Sequence, residues 1–218
     1  MRLKALEVRR QRCVAGVGQG RGAHRQPLPP HPTPLLSLPT APQNIKIRFV
    51  ASGPAATHAV LGGAGGTLYA LGRNDRGQLG LGDLCTRNVP TAITLEGAGD
   101  GVPVAAACGK AHTLVVLSSG AALAAGANGA GQLGTGSLPK AKAGTPEECV
   151  KTFVRSRVDG VATAAAGIDF SAWLGADGSV WTAGSPQYGQ LGHGTDGSYN
   201  AKESSIKARP RMGVGGVG

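Results

Sequence analysis

Apolar and polar positions alternate along much of this chain, and the alternation starts near residue 45. Ile45, Ile47 and Phe49 take turns with Lys46 and Arg48, the pattern of a half-buried strand. His112 through Leu117 is a β-rich run, Ser118-Ser119-Gly120 reads as a turn, and Ala121 through Ala125 as a second strand. Phe170–Ala176, Asp177-Gly178 and Ser179–Ala183 spell the same hairpin more clearly. Asp-Gly between two apolar runs predicts a two-residue turn in which both residues take positive φ.

This hairpin recurs. Gly66-Thr-Leu-Tyr-Ala-Leu-Gly72 leads to Gly77-Gln78-Leu79-Gly80, and Gly120-Ala-Ala-Leu-Ala-Ala-Gly126 leads to Gly131-Gln132-Leu133-Gly134. Gly178-Ser-Val-Trp-Thr-Ala-Gly184 leads to Gly189-Gln190-Leu191-Gly192. The three Gly-Gln-Leu-Gly copies start 54 and 58 residues apart, a period that belongs to propeller blades. A second marker keeps the same register: His58, His112 and Phe170 each stand eight residues before the turn glycine. The third position after that glycine is large in every copy, as Tyr69, Leu123 or Trp181. Gly72, Gly126 and Gly184 end the strand where a side chain would obstruct packing or turning. Each repeat therefore predicts one small antiparallel sheet, which cannot bury both its faces alone and must stack on its neighbours.

Cys108-Gly109-Lys110-Ala111-His112-Thr113 followed by Gly131-Gln132-Leu133-Gly134 resembles the repeat of the regulator of chromosome condensation family; Gly167 stands where Gly109 does. The resemblance covers residues 45–206. Trp-Asp pairs of the WD type are absent, and kelch repeats would not place Gly-Gln-Leu-Gly at a fixed offset. Within the family, Ser185 through Gly197 and Ser52 through His58 are similar to the second, telophase-associated branch. The resemblance implies an all-β propeller of seven blades, of which three repeats stand here, so the expected architecture is an open arc of consecutive antiparallel blades, truncated relative to the family. The expected divisions are a disordered basic, Pro-rich arm (1–44), a partial propeller (repeats about 45–100, 101–157 and 158–206) and a disordered tail (207–218).

Charge changes this picture only at the ends. The formal net charge is +10, yet residues 1–44 hold seven Lys or Arg against one acid, Glu7. Residues 45–206 are close to neutral. A basic arm can hold a polyanion through counterion release, and the same composition makes a solvated tail. The arm's Gly-rich patch at 16–22 and seven prolines between Pro27 and Pro42 cannot build a packed core. Cys13, Cys85, Cys108 and Cys149 show no CxxC spacing and no paired framework, which points to a reducing compartment, nucleus and cytoplasm. No apolar run is long enough to span a membrane.

Catalytic chemistry is thinly supported. His58 and His112 would sit in different blades with no Cys or carboxylate at ligand spacing, so they are expected to be packed histidines whose ring nitrogens satisfy loop backbone. Cys108 reads as a buried hydrophobe. Gly109-Lys110 lacks the rest of a phosphate loop, and no Gly-x-Ser-x-Gly exists. Trp173 and Trp181, on one hairpin, read as core. No cofactor, metal or catalytic group is expected. The resemblance implies a non-catalytic platform that regulates small GTPases as a guanine-nucleotide exchange factor, associated with chromosomes or the mitotic spindle. Alternatives are a chromatin- or microtubule-binding scaffold and a nonfunctional fragment. Lys140, Lys142, Lys151, Arg155 and Arg157, in the long stretch from Gly134 to Val161, form either a partner-contact surface or a solvated loop. Open blade edges predict self-association.

Overall fold

This computed structural model describes residues 46–95, 101–136 and 149–193, together with the backbone of Arg209–Pro210. They form three four-stranded antiparallel sheets. The first contains β1 (Ile47–Ala51), β2 (His58–Gly63), β3 (Leu68–Gly72) and β4 (Arg87–Ile93). The second contains β5 (Pro103–Cys108), β6 (His112–Leu117), β7 (Ala122–Ala127) and β8 (Cys149–Arg155). The third contains β9 (Val161–Ala166), β10 (Phe170–Gly175), β11 (Val180–Gly184) and β12 (Arg209–Pro210). Each is a meander in which neighbours in sequence are neighbours in the sheet.

The middle hairpin of every sheet turns in the same way, as read at Ser118-Ser119-Gly120 and unlike the two-residue turn expected at Asp177-Gly178. Gly178 N–H donates to the Gly175 carbonyl and Gly175 N–H to the Ser179 carbonyl, which makes a three-residue loop, Ala176-Asp177-Gly178. The same pair of bonds closes the turns at Gly66 and Gly120. The loop is a turn followed by one left-handed residue. That residue is the repeat glycine, with φ of 78°, 81° and 84° at Gly66, Gly120 and Gly178. Asp177 instead takes the Ser179 N–H on its carboxylate, 2.9 Å away.

The sheets are stacked as successive blades. β5 packs against β1 and β2, and β9 against β5 and β6, so the sheets converge at their first strands. β6 explains the stacking from sequence. All six of its residues are buried, because one face meets the first blade and the other the third. Val115 and Leu117 join a core with Val60, Leu68 and Leu79; Leu114 and Val116 join another with Val161 and Trp173. Period-two geometry sends alternate side chains into different interfaces, so a strand buried on both faces reads as one unbroken apolar run. Each of those four side chains, wholly removed from water, contributes about 1.5–3 kcal/mol. Trp173 is fully buried and faces its cross-strand partner Trp181, which is partly buried in the same core, as expected of core residues.

The blades form an arc without closing into a barrel. Two segments differ from their sequence reading. The stretch between Gly134 and Val161 contains β8, the outer strand of the second blade, rather than loop alone. Arg209–Pro210 pair with Trp181 and Thr182, so residues read as tail supply the fourth strand of the third blade. The basic arm at 1–44 lies outside the described residues.

Candidate binding surface

The recurring histidines of the repeats are packed as expected, but their partners are not the expected ones. His58 lies at the start of β2, opposite Gly72, and His112 at the start of β6, opposite Gly126. Phe170 lies opposite Gly184 in the same way. A Cβ on Gly72 would lie 2.6 Å from the His58 Cα, so only glycine lets the strands approach here; φ is 103°. The histidine ring then reaches into the next blade. His58 Nε2 lies 2.7 Å from Thr113 Oγ, and His112 Nε2 lies 2.9 Å from Ser171 Oγ. Thr113 Oγ–H donates in turn to the Gln78 carbonyl at 2.6 Å, and Ser171 Oγ–H to the Gln132 carbonyl at 2.7 Å.

Each hydroxyl has one proton, and it is spent on a carbonyl. The hydroxyl must therefore accept from the ring, which fixes both histidines as neutral Nε2–H tautomers. Both Nδ1 atoms are buried without a partner. The expectation that the rings would satisfy loop backbone is thus corrected: they bond a hydroxyl of the following blade. Burial lowers the pKa of His58 to about 4, and burial with the charge of His58 lowers His112 to about 4. Gly109 abuts the His112 ring and Gly167 the Phe170 ring.

Thr113 and Ser171, one residue after the histidine position in their repeats, were missed as functional in the sequence. The signal was their shared hydroxyl at one register. Asn74 and Asn128 were missed too. Each is buried three residues before the Gly of Gly-Gln-Leu-Gly, and its Oδ1 accepts the N–H of Leu79 or Leu133. In the third copy Pro186 takes this place.

The glutamine of the motif clamps the turn. Gln78 Oε1 accepts the Arg76 N–H at 2.9 Å, Gln132 Oε1 the Ala130 N–H at 3.0 Å, and Gln190 Oε1 the Tyr188 N–H at 2.7 Å. Leu79, Leu133 and Leu191 anchor the same turns in buried positions. Gly77 backs onto the Lys151 backbone, Gly80 onto the Phe153 ring and Gly134 onto the Trp173 ring. Gly131, Gly189 and Gly192 hold the matching turns with positive φ. The constant residues thereby fix a loop whose variable position is Arg76, Ala130 or Tyr188, the first two half-buried and the third exposed.

These turns, with the loops that precede β2, β6 and β10, border a cavity of about 630 Å³ that touches all three blades. Its charged lining is Arg73, Asp75, Arg76, Lys110 and Asp169. Arg73 Nη2 lies 2.7 Å from Asp75 Oδ2. Burial pushes the Asp75 pKa up, but hydrogen bonds from Arg73 and Gln78 and the charges of Arg73 and Arg76 outweigh it, so the carboxylate stays below its ordinary range. Cys108 does not line this cavity; its thiol is pushed up to about 12 by burial and donates to the Ala51 carbonyl. Neither Cys108 nor Cys149 is in a disulfide, whereas Cys85 is disulfide-bonded, against the expectation of no paired framework.

The basic residues of the Gly134–Val161 stretch do not line this cavity. Lys140 and Lys142 lie outside the described residues. Lys151 and Arg155 are exposed on β8, Arg157 follows it, and Arg155 pairs with Asp159.

Comparison with known proteins agrees with this geometry. Residues 65–116 match the family described as the regulator of chromosome condensation (RCC1) repeat. Protein RCC2 homolog of Danio rerio is 35% identical over 75% of this chain and 32% of that protein. Protein RCC2 of Homo sapiens is 36% identical over 75% of this chain and 30% of that protein. The chain thus spans about a third of the length of these relatives. Among solved structures, Prp20p of Saccharomyces cerevisiae, described with its binding to Gsp1p and histones, is similar with a TM-score of 0.64. That likeness is 18% identical and covers 77% of this chain and 39% of the other, which speaks to fold alone. Three stacked blades, a motif that clamps its own turn, and these relatives lead to one conclusion: this chain belongs to the regulator of chromosome condensation repeat family.

Proposed function

We propose that the chain is a binding propeller that acts on small GTPases in the manner of a guanine-nucleotide exchange factor, through the face where Arg76, Ala130 and Tyr188 project. The clamp carries this reading. Three times the same glutamine fixes the backbone just before it while leaving the side chain there free to vary. A scaffold that holds its loops rigid and changes only their tips is built for recognition. Tyr188, 83% exposed, and Arg76 are residue types that dominate protein interfaces. Such a face would grip a GTPase and disturb its nucleotide pocket with no cofactor of its own. Release of a fluorescent guanine nucleotide from purified small GTPases tests it. Acceleration by the chain, reduced at least tenfold in Tyr188→Ala, is expected; no acceleration across the panel would end the exchange reading.

A second role rests on charge. Seven Lys or Arg against one acid in residues 1–44 suit a polyanionic surface such as chromatin or microtubules in a dividing cell, in nucleus and cytoplasm. Lys151, Arg155 and Arg157 would extend that contact along the second blade. Deleting residues 1–44 is expected to abolish co-sedimentation with chromatin or microtubules, and unchanged co-sedimentation would refute the role.

A further inference from the structure

We propose that the cavity across the three blades binds an acidic peptide segment of a protein partner, with a carboxylate side chain seated between Arg76 and Lys110. This rests on reading the projecting-turn face as the binding surface and names the chemistry it selects.

The hollow arises from a difference between repeats. The second blade lines the cavity with Ala111, Ala127, Gly129 and Ala130. At the same four repeat positions the first blade carries Thr57, Arg73, Asp75 and Arg76, and the third Asp169, Ser185, Gln187 and Tyr188. The middle repeat therefore has only methyl groups or a hydrogen where both neighbours carry longer side chains, which leaves room for the cavity. Its volume of about 630 Å³ accommodates several side chains of an incoming segment.

Charge selects the occupant. Arg73 and Asp75 largely cancel each other, being ion-paired at 2.7 Å. Arg76 belongs to the first blade, Lys110 to the loop before β6 in the second and Asp169 to the loop before β10 in the third, and all three line the cavity. One net positive charge, with two carboxylates in the same lining, matches a single carboxylate. It opposes a phosphate backbone, whose regular charges would meet Asp75 and Asp169. A purely apolar ligand is disfavoured because it would desolvate five charged groups. At the third-blade end Tyr188 stands exposed on the turn that also presents Ser185, offering an aromatic face to an apolar residue next to the acid.

The test is a fluorescence-anisotropy titration of the whole chain with a labelled peptide of alternating Glu and Gly, and with its Gln counterpart. Binding of the Glu peptide at least tenfold tighter than the Gln peptide is expected. Lys110→Glu should weaken it tenfold or more by charge, and Ala130→Leu by filling the cavity, while Lys46→Glu, exposed beside the β2–β3 turn at the other end of the first sheet, leaves it unchanged. Thermal melts of each variant confirm folding. Equal binding of both peptides, no binding at millimolar concentration, or insensitivity to both Lys110→Glu and Ala130→Leu would overturn the proposal. So would displacement by heparin combined with weakening in Lys151→Glu, since that places a polyanion on β8 rather than an acid in the cavity. Groove binding without nucleotide release upholds this inference and removes the GTPase reading; nucleotide release that Ala130→Leu leaves intact, without peptide binding, does the reverse.

Discussion

Thr113 Oγ accepts from His58 and donates to the Gln78 carbonyl, so deleting that hydroxyl leaves two buried groups unpaired at once. An unsatisfied buried donor or acceptor costs about 1–3 kcal/mol each. Thr113→Val, nearly isosteric, should therefore destabilise by about 2–4 kcal/mol in urea unfolding, while Thr113→Ser, which keeps the hydroxyl, should cost far less. Equal losses in both variants would show that packing, not hydrogen bonding, matters at this site. Gly126 poses a steric question instead: its φ is 110°, and an added Cβ would lie 2.7 Å from the His112 Cα. Gly126→Ala should cost about 2 kcal/mol or more, against less than about 1 kcal/mol for Gly65→Ala, where nothing lies within 4 Å of the added atom. The glycines were legible in the sequence because they recur. The hydroxyl was not, because Ala59 occupies its register in the first repeat and breaks the series.

Between blades, the histidines make the stack acid-sensitive. Their folded pKa values of about 4 lie below the unfolded value of 6.5. Between pH 6.5 and pH 4 the unfolded chain therefore binds more protons than the folded one, and stability falls as pH falls through that window. From pH 7.5 to pH 5 each histidine should remove about 2 kcal/mol, somewhat less in sum if the first protonation loosens the other's interface. Thermal melts at the two pH values check this, with His58→Gln expected to flatten the dependence; a pH-independent wild type would contradict it. Hairpins β2–β3, β6–β7 and β10–β11 could be read from sequence since their apolar runs are flanked by repeat glycines. The outer strands could not. β4 contains Pro90, and β8 carries Lys151 and Arg155 among exposed positions, so neither shows a run of apolar residues. An outer strand is held mainly by one neighbour and is less buried, which leaves its sequence freer.

For the molecule as a whole, the repeat period predicted stacked sheets before any contact was known, since a small sheet with two apolar faces has no other way to bury them. The binding cavity was not foreseeable in this way. It arises from small residues in one repeat between larger ones in the next, a relation visible only once the blades are placed side by side. The third blade turns Phe170, Ala172 and Leu174 away from the second, with Leu174 41% exposed. We expect the purified chain to associate in a concentration-dependent way through this face and Leu174→Asp to suppress it; a monodisperse wild-type monomer in sedimentation would contradict that. The inter-blade histidine bond is the point on which fold and surface both depend, and nitrogen-15 NMR of the histidine rings observes it directly. The account predicts that His58 and His112 are Nε2–H tautomers at pH 7, protected from exchange, with no titration above pH 5. Rings that titrate near 6.5, or that carry the proton on Nδ1, would mean that the blades do not stack as described.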